Sequence, residues 1–162
     1  MEPELHEAVV ITVSTRAAEG IRHDTGGPAV IGALRTAGWD VAQEPIVVPD
    51  DENLLAITLA GLADAGHRLI VTTGGTGLSP TDRTPEATDR VTDRAIPGLA
   101  EAMRAAGRMS TPKADLSRGL VAARGLSLIV NLPGSPTGAA ESLAAVLPIL
   151  RHAVEQLAGG DH

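Results

Sequence analysis

The stretch Arg68-Leu69-Ile70-Val71-Thr72-Thr73-Gly74-Gly75-Thr76-Gly77 decides how this chain of 162 residues folds. It opens as a short apolar, β-branched run, the pattern of a strand buried on both faces. It closes with three glycines and three threonine hydroxyls in six residues, Thr72 to Gly77. Such a loop lets backbone amides converge on an anion with no Cβ in the way, so it reads as a phosphate cradle. The plainer alternative is a strand-to-loop turn. No GxxxxGK[ST] occurs, and Gly75 to Pro80 lacks the third glycine of GxGxxG, so neither familiar nucleotide signature applies.

Working outward, Ala8–Val13, Val41–Val48 (interrupted by Pro45) and Leu126–Leu132 read as further strands, separated by segments with helical spacing. The strand-helix-strand order predicts an α/β fold: a three-layer, mostly parallel sheet with helices on both faces. Helices are expected from Pro28 to Gly38, through Leu55, Leu59 and Leu62 to Gly66, from Thr84-Pro85, from Pro97 to near Gly107, and from Pro136 to Leu157. Pro148 should kink or restart the last of these. Residues 109–124, broken by Pro112 and Gly119, read as a loop plus a short extra strand away from the main sheet, a small subdomain. Gly159–His162 reads as a frayed tail. With no repeat or linker, residues 1–162 are expected to form one domain, a size that buries one ordinary core.

Composition narrows the function. Cysteine is absent and the five histidines show no ligand spacing, so no thiolate metal site or disulfide framework is expected. A formal charge of -7 opposes a phosphate-tracking groove, and Trp39 as the sole aromatic rules out base-stacking platforms, so nucleic acid is not the expected partner. No apolar run nears the ~20 residues of a membrane span. Glu2, Glu4 and Glu7 stand where a secretory signal would carry Lys or Arg, which predicts a cytoplasmic protein. A core built from Leu, Val, Ile and Ala buries little area per side chain, which favours oligomers.

Four places could carry chemistry. Asp82, five residues past Gly77, either holds Mg²⁺ beside phosphate oxygens or supports the turn. Thr84 and Glu86 read as a helix cap and a complement to the helix dipole. In Asp50-Asp51-Glu52, at a strand's carboxyl end, Asp51 caps the next helix and Asp50 is left for a ligand or for solvent. Leu132-Pro133-Gly134-Ser135-Pro136 sets Ser135 as cap and Pro136 in the first turn of a long helix, a second candidate anion cradle or a structural cap. Asp24-Thr25-Gly26-Gly27-Pro28 has the same two readings.

Together Ser14–Gly20, Asp24–Pro28, Val48–Asp50, Thr73–Gly77 with Asp82, Thr84–Ala87, Ile96–Gly98, Leu116–Arg118 and Leu132–Pro136 resemble the molybdopterin adenylyltransferases, the MogA and MoaB type, also found as the G domain of gephyrin-like fusions. The resemblance spans about the whole chain. The molybdate-inserting MoeA type carries a Ser-x-Gly-Asp variant of the loop and extra domains, which this chain lacks. The resemblance implies ATP-dependent, Mg²⁺-dependent adenylylation of molybdopterin in molybdenum cofactor biosynthesis, with release of pyrophosphate. It implies that Asp82 is the key catalytic carboxylate and a Mg²⁺ ligand, and Asp50 a second essential acid. It implies phosphate, nucleotide or pterin contacts from Gly75, Thr76, Gly77, Gly134 and Ser135, with Thr73, Gly74, Ser14, Ser117 and Pro133 in the same matching segments. It further implies a homotrimer or hexamer and a molybdate insertase as downstream partner. Many active members read Ser-Asp-Arg where this chain has Ser14-Thr15-Arg16, a change the MoaB branch tolerates. The rival readings are a non-catalytic molybdopterin-binding carrier and a structural scaffold.

Overall fold

The computed structural model describes residues 5–160, so Glu2, Glu4 and the last two residues of the expected tail lie outside the described residues. Six strands, β1 (Ala8–Val13), β2 (Ile46–Val48), β3 (Leu69–Thr73), β4 (Arg94–Ala95), β5 (Val121–Arg124) and β6 (Ser127–Leu132), form one sheet in the order β2-β1-β3-β6-β5-β4. The four strands at one end are parallel and the β6-β5-β4 side is antiparallel, so the sheet is mixed. Helices α1 (Thr15–Ala18), α2 (Gly26–Thr36), α3 (Glu52–Ala65), α4 (Thr84–Val91) and α5 (Pro97–Arg108) lie between strands, and α6 (Pro136–Leu157) follows β6.

Strand alternation divides the core in two. Ala8, Val10, Leu69, Val71, Leu128 and Val130 pack under α2, α5 and α6. Val9, Ile11, Val13, Ile70 and Ile129 face Leu55, Ala56 and Leu59 of α3 and Ala87 of α4. The central strands are apolar at successive positions because helices cover both sides of them. Trp39 lies in the first layer, and the Arg151 guanidinium stacks 3.7 Å from its ring centre.

Several local expectations change. Only Ile46–Val48 of the Val41–Val48 run becomes strand, and Val41 makes a single bridge to Ala8, because Pro45 has no amide hydrogen for the ladder. The extra strand expected away from the sheet within 109–124 is β5, inside the sheet and antiparallel to β6, so no separate subdomain forms there. Gly125, with φ +55°, begins the two-residue turn that joins them, a position a type II′ hairpin gives to glycine. Pro112–Leu116 is a 3-10 turn. α6 does not restart at Pro148. Pro148 and Ala144, the residue whose carbonyl it leaves unbonded, are both exposed, so the lost bond lies on the solvent side of the helix. Gly159 and Gly160 donate to the Gln156 and Glu155 carbonyls and close α6 in place of fraying.

Asn131 fixes the register beneath the loops. Its Nδ2 donates to Thr72 Oγ1 at 3.1 Å and Thr88 Oγ1 at 3.0 Å, and its Oδ1 accepts from the Leu120 amide at 3.1 Å. The residue is fully buried. Asn131→Leu, close in volume, leaves those partners unmet, and the expected loss of about 1–3 kcal/mol is checked as a lower urea midpoint at constant m-value.

Candidate functional site

The parallel strands β1, β2, β3 and β6 all deliver their carboxyl ends to one edge of the sheet. β1 lies between β2 and β3, and the crossovers from β1 to β2 and from β2 to β3 pass over opposite faces through α2 and α3. Such a reversal opens a crevice above the strand ends, where ligands of these sheets bind.

The glycine loop fills the centre of that edge. Gly74, with φ +102°, lies so close to the Val13 carbonyl that a side-chain carbon has no room, and its amide donates to Leu132 O at 3.1 Å. Gly75, with φ +69°, abuts Thr84, whose hydroxyl donates to Gly74 O at 2.9 Å and whose amide donates to Gly75 O at 3.1 Å. Thr84 therefore clamps the loop, whereas the expected cap position belongs to Arg83 and has no side-chain bond. Thr73 Oγ1 donates to Pro133 O at 2.9 Å, which joins the loop to the turn before α6. There Ser135 caps α6 by accepting from the Gly138 amide at 3.1 Å, as expected of it.

Two clefts meet at this loop. One, of about 460 Å³, is lined by Gly75, Thr76, Gly77, Asp82, Met103, Arg104, Ser117, Pro133, Gly134 and Ser135, among others. The second, of about 480 Å³, is lined by Ser14, Thr15, Arg16, Asp24, Asp50, Thr73, Gly74, Gly75, Asp82, Gly134 and Ser135, with Arg22 and His23 at its exposed rim. Every residue singled out as a binding or catalytic candidate thus lines one cleft or the other. Gly75, Asp82, Gly134 and Ser135 line both and form the ridge between them.

Asp50 and Thr15 hold each other. The Thr15 hydroxyl and amide both donate to Asp50 Oδ2, at 2.8 and 3.2 Å, and the Asp50 amide donates back to Thr15 Oγ1 at 3.0 Å. An aspartate at position 15 would set a second negative charge here, while threonine supplies a donor and leaves Asp50 Oδ1 free of intramolecular partners among the described residues. Asp51 caps α3 through the Leu54 amide at 2.9 Å, as expected. Asp24 serves the fold with both oxygens, accepting from the Gly27 amide at 3.1 Å and from Thr12 Oγ1 at 2.8 Å. Asp82 Oδ2 accepts from the Ser79 amide at 3.0 Å and closes the turn that carries it.

Glu86 stands in the first turn of α4, as expected of a dipole complement, and it also carries an ion pair. Its carboxylate accepts from Arg118 Nη1 at 3.0 and 2.8 Å. Hydrogen bonding from that guanidinium holds the Glu86 carboxyl below its ordinary range and raises the Arg118 pKa. Arg118, Arg104 and Asn131 were not among the expected site residues. Arg118 stands in the quoted Leu116-Ser117-Arg118 segment, but nothing in that tripeptide shows where its side chain goes.

Residues 9–152 match the sequence profile of the MoCF_biosynth family, described as a probable molybdopterin binding domain. The chain belongs to that family. It aligns along most of its length with molybdopterin adenylyltransferases: 36% identity to that of Helicobacter pylori strain 26695, over 93% of this chain and 86% of the relative, and 40% to that of Haemophilus influenzae, over 85% and 71%. It spans 48% of the molybdenum cofactor biosynthesis bifunctional protein of Synechococcus elongatus, at 38% identity over 96% of this chain. Among solved structures it superimposes on MoaB of Thermus thermophilus with a TM-score of 0.86 and 47% identity, over 95% of this chain and 97% of that one. The Mog protein of Mycobacterium ulcerans gives 0.87 and 43%, over 94% and 99%.

Because the folded pKa of Glu86 is lowered, the Glu86–Arg118 pair contributes in full above the ordinary carboxylate pKa and is lost as pH falls through the folded value. The urea stability gap between wild type and Glu86→Gln should therefore be widest near neutral pH and shrink toward acid. A gap that stays constant with pH would show that the pair adds nothing that titrates.

Proposed function

We propose that this protein adenylylates molybdopterin with ATP, in molybdenum cofactor biosynthesis, and releases pyrophosphate. The observation that carries the reading is the shared ridge: two clefts of similar volume meet at Gly75, Asp82, Gly134 and Ser135, so two ligands seated in them bring their ends together at one carboxylate. The names of the aligned relatives support the same chemistry.

In this reading a terminal phosphate oxygen of molybdopterin forms the new bond to the α-phosphorus of ATP. The bond from that phosphorus to the bridging oxygen breaks, and pyrophosphate leaves with the electron pair. Such a transfer needs alignment and charge neutralisation more than covalent help from the protein. The glycine loop and the start of α6 line the ridge, and their amides that are not bonded within the fold, unlike those of Gly74 and Gly138, suit phosphate oxygens. Asp50, steadied by Thr15, offers its free oxygen to a donor on the ligand in its cleft.

Mg²⁺ suits the donor set. Among the described residues no cluster of three or more His, Cys, Asp or Glu side chains gathers. The ridge offers the oxygens of Asp82, and Mg²⁺ is commonly held by one or two carboxylates together with substrate phosphates and water. Bound there by Asp82, it would neutralise the triphosphate. The same reading includes a cytoplasmic homotrimer or hexamer that passes its product to a molybdate insertase. Leu54 and Ile57, one turn apart and exposed on α3, are apolar surface that such an assembly would cover. Among the described residues no helix is long and apolar enough to cross a membrane.

The deciding measurement is pyrophosphate release from ATP and Mg²⁺ with freshly prepared molybdopterin. Asp82→Ala should lower the rate about a hundredfold or more while the fold and its melting temperature persist. Tight pterin binding by wild type without any release would instead make the protein a carrier.

A further inference from the structure

We propose that Arg118 is the positioning residue for Asp82, holding the turn that carries the carboxylate from behind the site. This rests on the adenylyltransferase reading for its consequence in turnover, but not for its structural content. The turn from Gly77 to Asp82 projects outward, with Leu78 66% exposed. Its internal hydrogen bonds are local: the Ser79 amide to Asp82 Oδ2 at 3.0 Å, the Asp82 amide to Ser79 O at 2.9 Å, and the Ser79 and Thr81 hydroxyls at 3.2 Å. Bonds confined to one exposed turn do not fix its orientation relative to the sheet.

Arg118 supplies that orientation. One edge of its guanidinium spans the turn, with Nε donating to Gly77 O at 2.9 Å and Nη2 donating to Asp82 O at 2.8 Å. Its backbone amide donates to Thr76 O at 2.8 Å, one residue before the turn begins. Nη1 faces both oxygens of Glu86 on α4. Arg104 of α5 anchors the segment in turn: its Nη1 donates to the carbonyls on either side of Arg118, Ser117 O at 3.2 Å and Gly119 O at 3.3 Å.

Two features separate positioning from direct ligand binding. Arg118 lines neither cleft, although Ser117 and Gly119 beside it line the first. Its guanidinium is also engaged elsewhere, with Nη1 on Glu86, an acid it shares with Arg83, and with Nε and Nη2 on carbonyls of the turn. The planar fork is what the arrangement requires, because two carbonyls must be met from one rigid edge while a carboxylate is met from the opposite nitrogen. A lysine ammonium at position 118 is a single point donor and cannot hold both ends of the turn.

The test compares wild type with Arg118→Lys and Glu86→Gln by steady-state pyrophosphate release and by amide hydrogen exchange. In Arg118→Lys, kcat should fall about 10- to 100-fold, with KM for ATP and for molybdopterin within about threefold of wild type. The Ser79 and Asp82 amides should exchange faster while those of Ile70 and Val71 in β3 do not change. Glu86→Gln, which keeps the carbonyl contacts and loses the carboxylate, should fall between the two. An unchanged kcat overturns the proposal, as does a loss in which strand and turn protection fall together. If wild type itself releases no pyrophosphate, the adenylyltransferase reading fails, and faster exchange confined to the turn still decides whether Arg118 holds it.

Discussion

The close approach of the Gly74 backbone to the carbonyl of Val13 is the contact on which the site depends. With a side chain at position 74 the loop would have to lift off the end of β1. That would separate it from Leu132 O and from Thr84, and the two clefts would lose their common wall. Glycine at position 74 meets both demands, a positive φ and no Cβ. A similar closeness recurs at Gly134, where a Cβ would meet the Gly74 Cα at 3.3 Å, so the glycine loop packs tightly on the turn before α6.

From that contact the division of labour among the carboxylates follows. Asp24 uses both oxygens, on a helix start and on Thr12, and Asp51 caps α3 with one of its own and lines neither cleft, so both belong to the scaffold. Among the described residues Asp50 has one oxygen held by Thr15 and one free, and Asp82 has one oxygen held by the Ser79 amide. Each is therefore oriented by the protein while keeping acceptor capacity toward the cleft. That half-satisfied state suits a group that must bind something not yet there. Glu86, by contrast, is saturated by Arg118 and acts on the site through that arginine.

Much of this is legible in the chain. Proline and glycine mark the helix ends from α3 to α6 because their effects are local: a fixed φ, a missing amide hydrogen, or access to positive φ. The Asp51 and Ser135 caps are legible for the same reason, as each bonds an amide three residues on. The same local logic misreads Thr84 and finds only one of the two roles of Glu86, which does lie in the first turn of α4. Both also suit a helix start, but their partners, Gly74 O and Arg118, lie 10 and 32 residues away. It misplaces β5 because a four-residue strand carries too little pattern to name its neighbour. The pairing of β5 depends on the turn at Gly125 and on room beside β6.

By itself the sequence determined the α/β layering, the glycine loop at a strand's carboxyl end and the family resemblance, because period, turn chemistry and motif spacing are properties of neighbouring residues. Only the tertiary structure decided that the candidates divide between two clefts sharing one ridge, that Thr15 steadies Asp50, and that Arg118 with Arg104 and Glu86 fastens the turn bearing Asp82. Those relations join segments distant along the chain. Which side chains meet there is set by strand order and helix packing, which no short stretch of residues encodes.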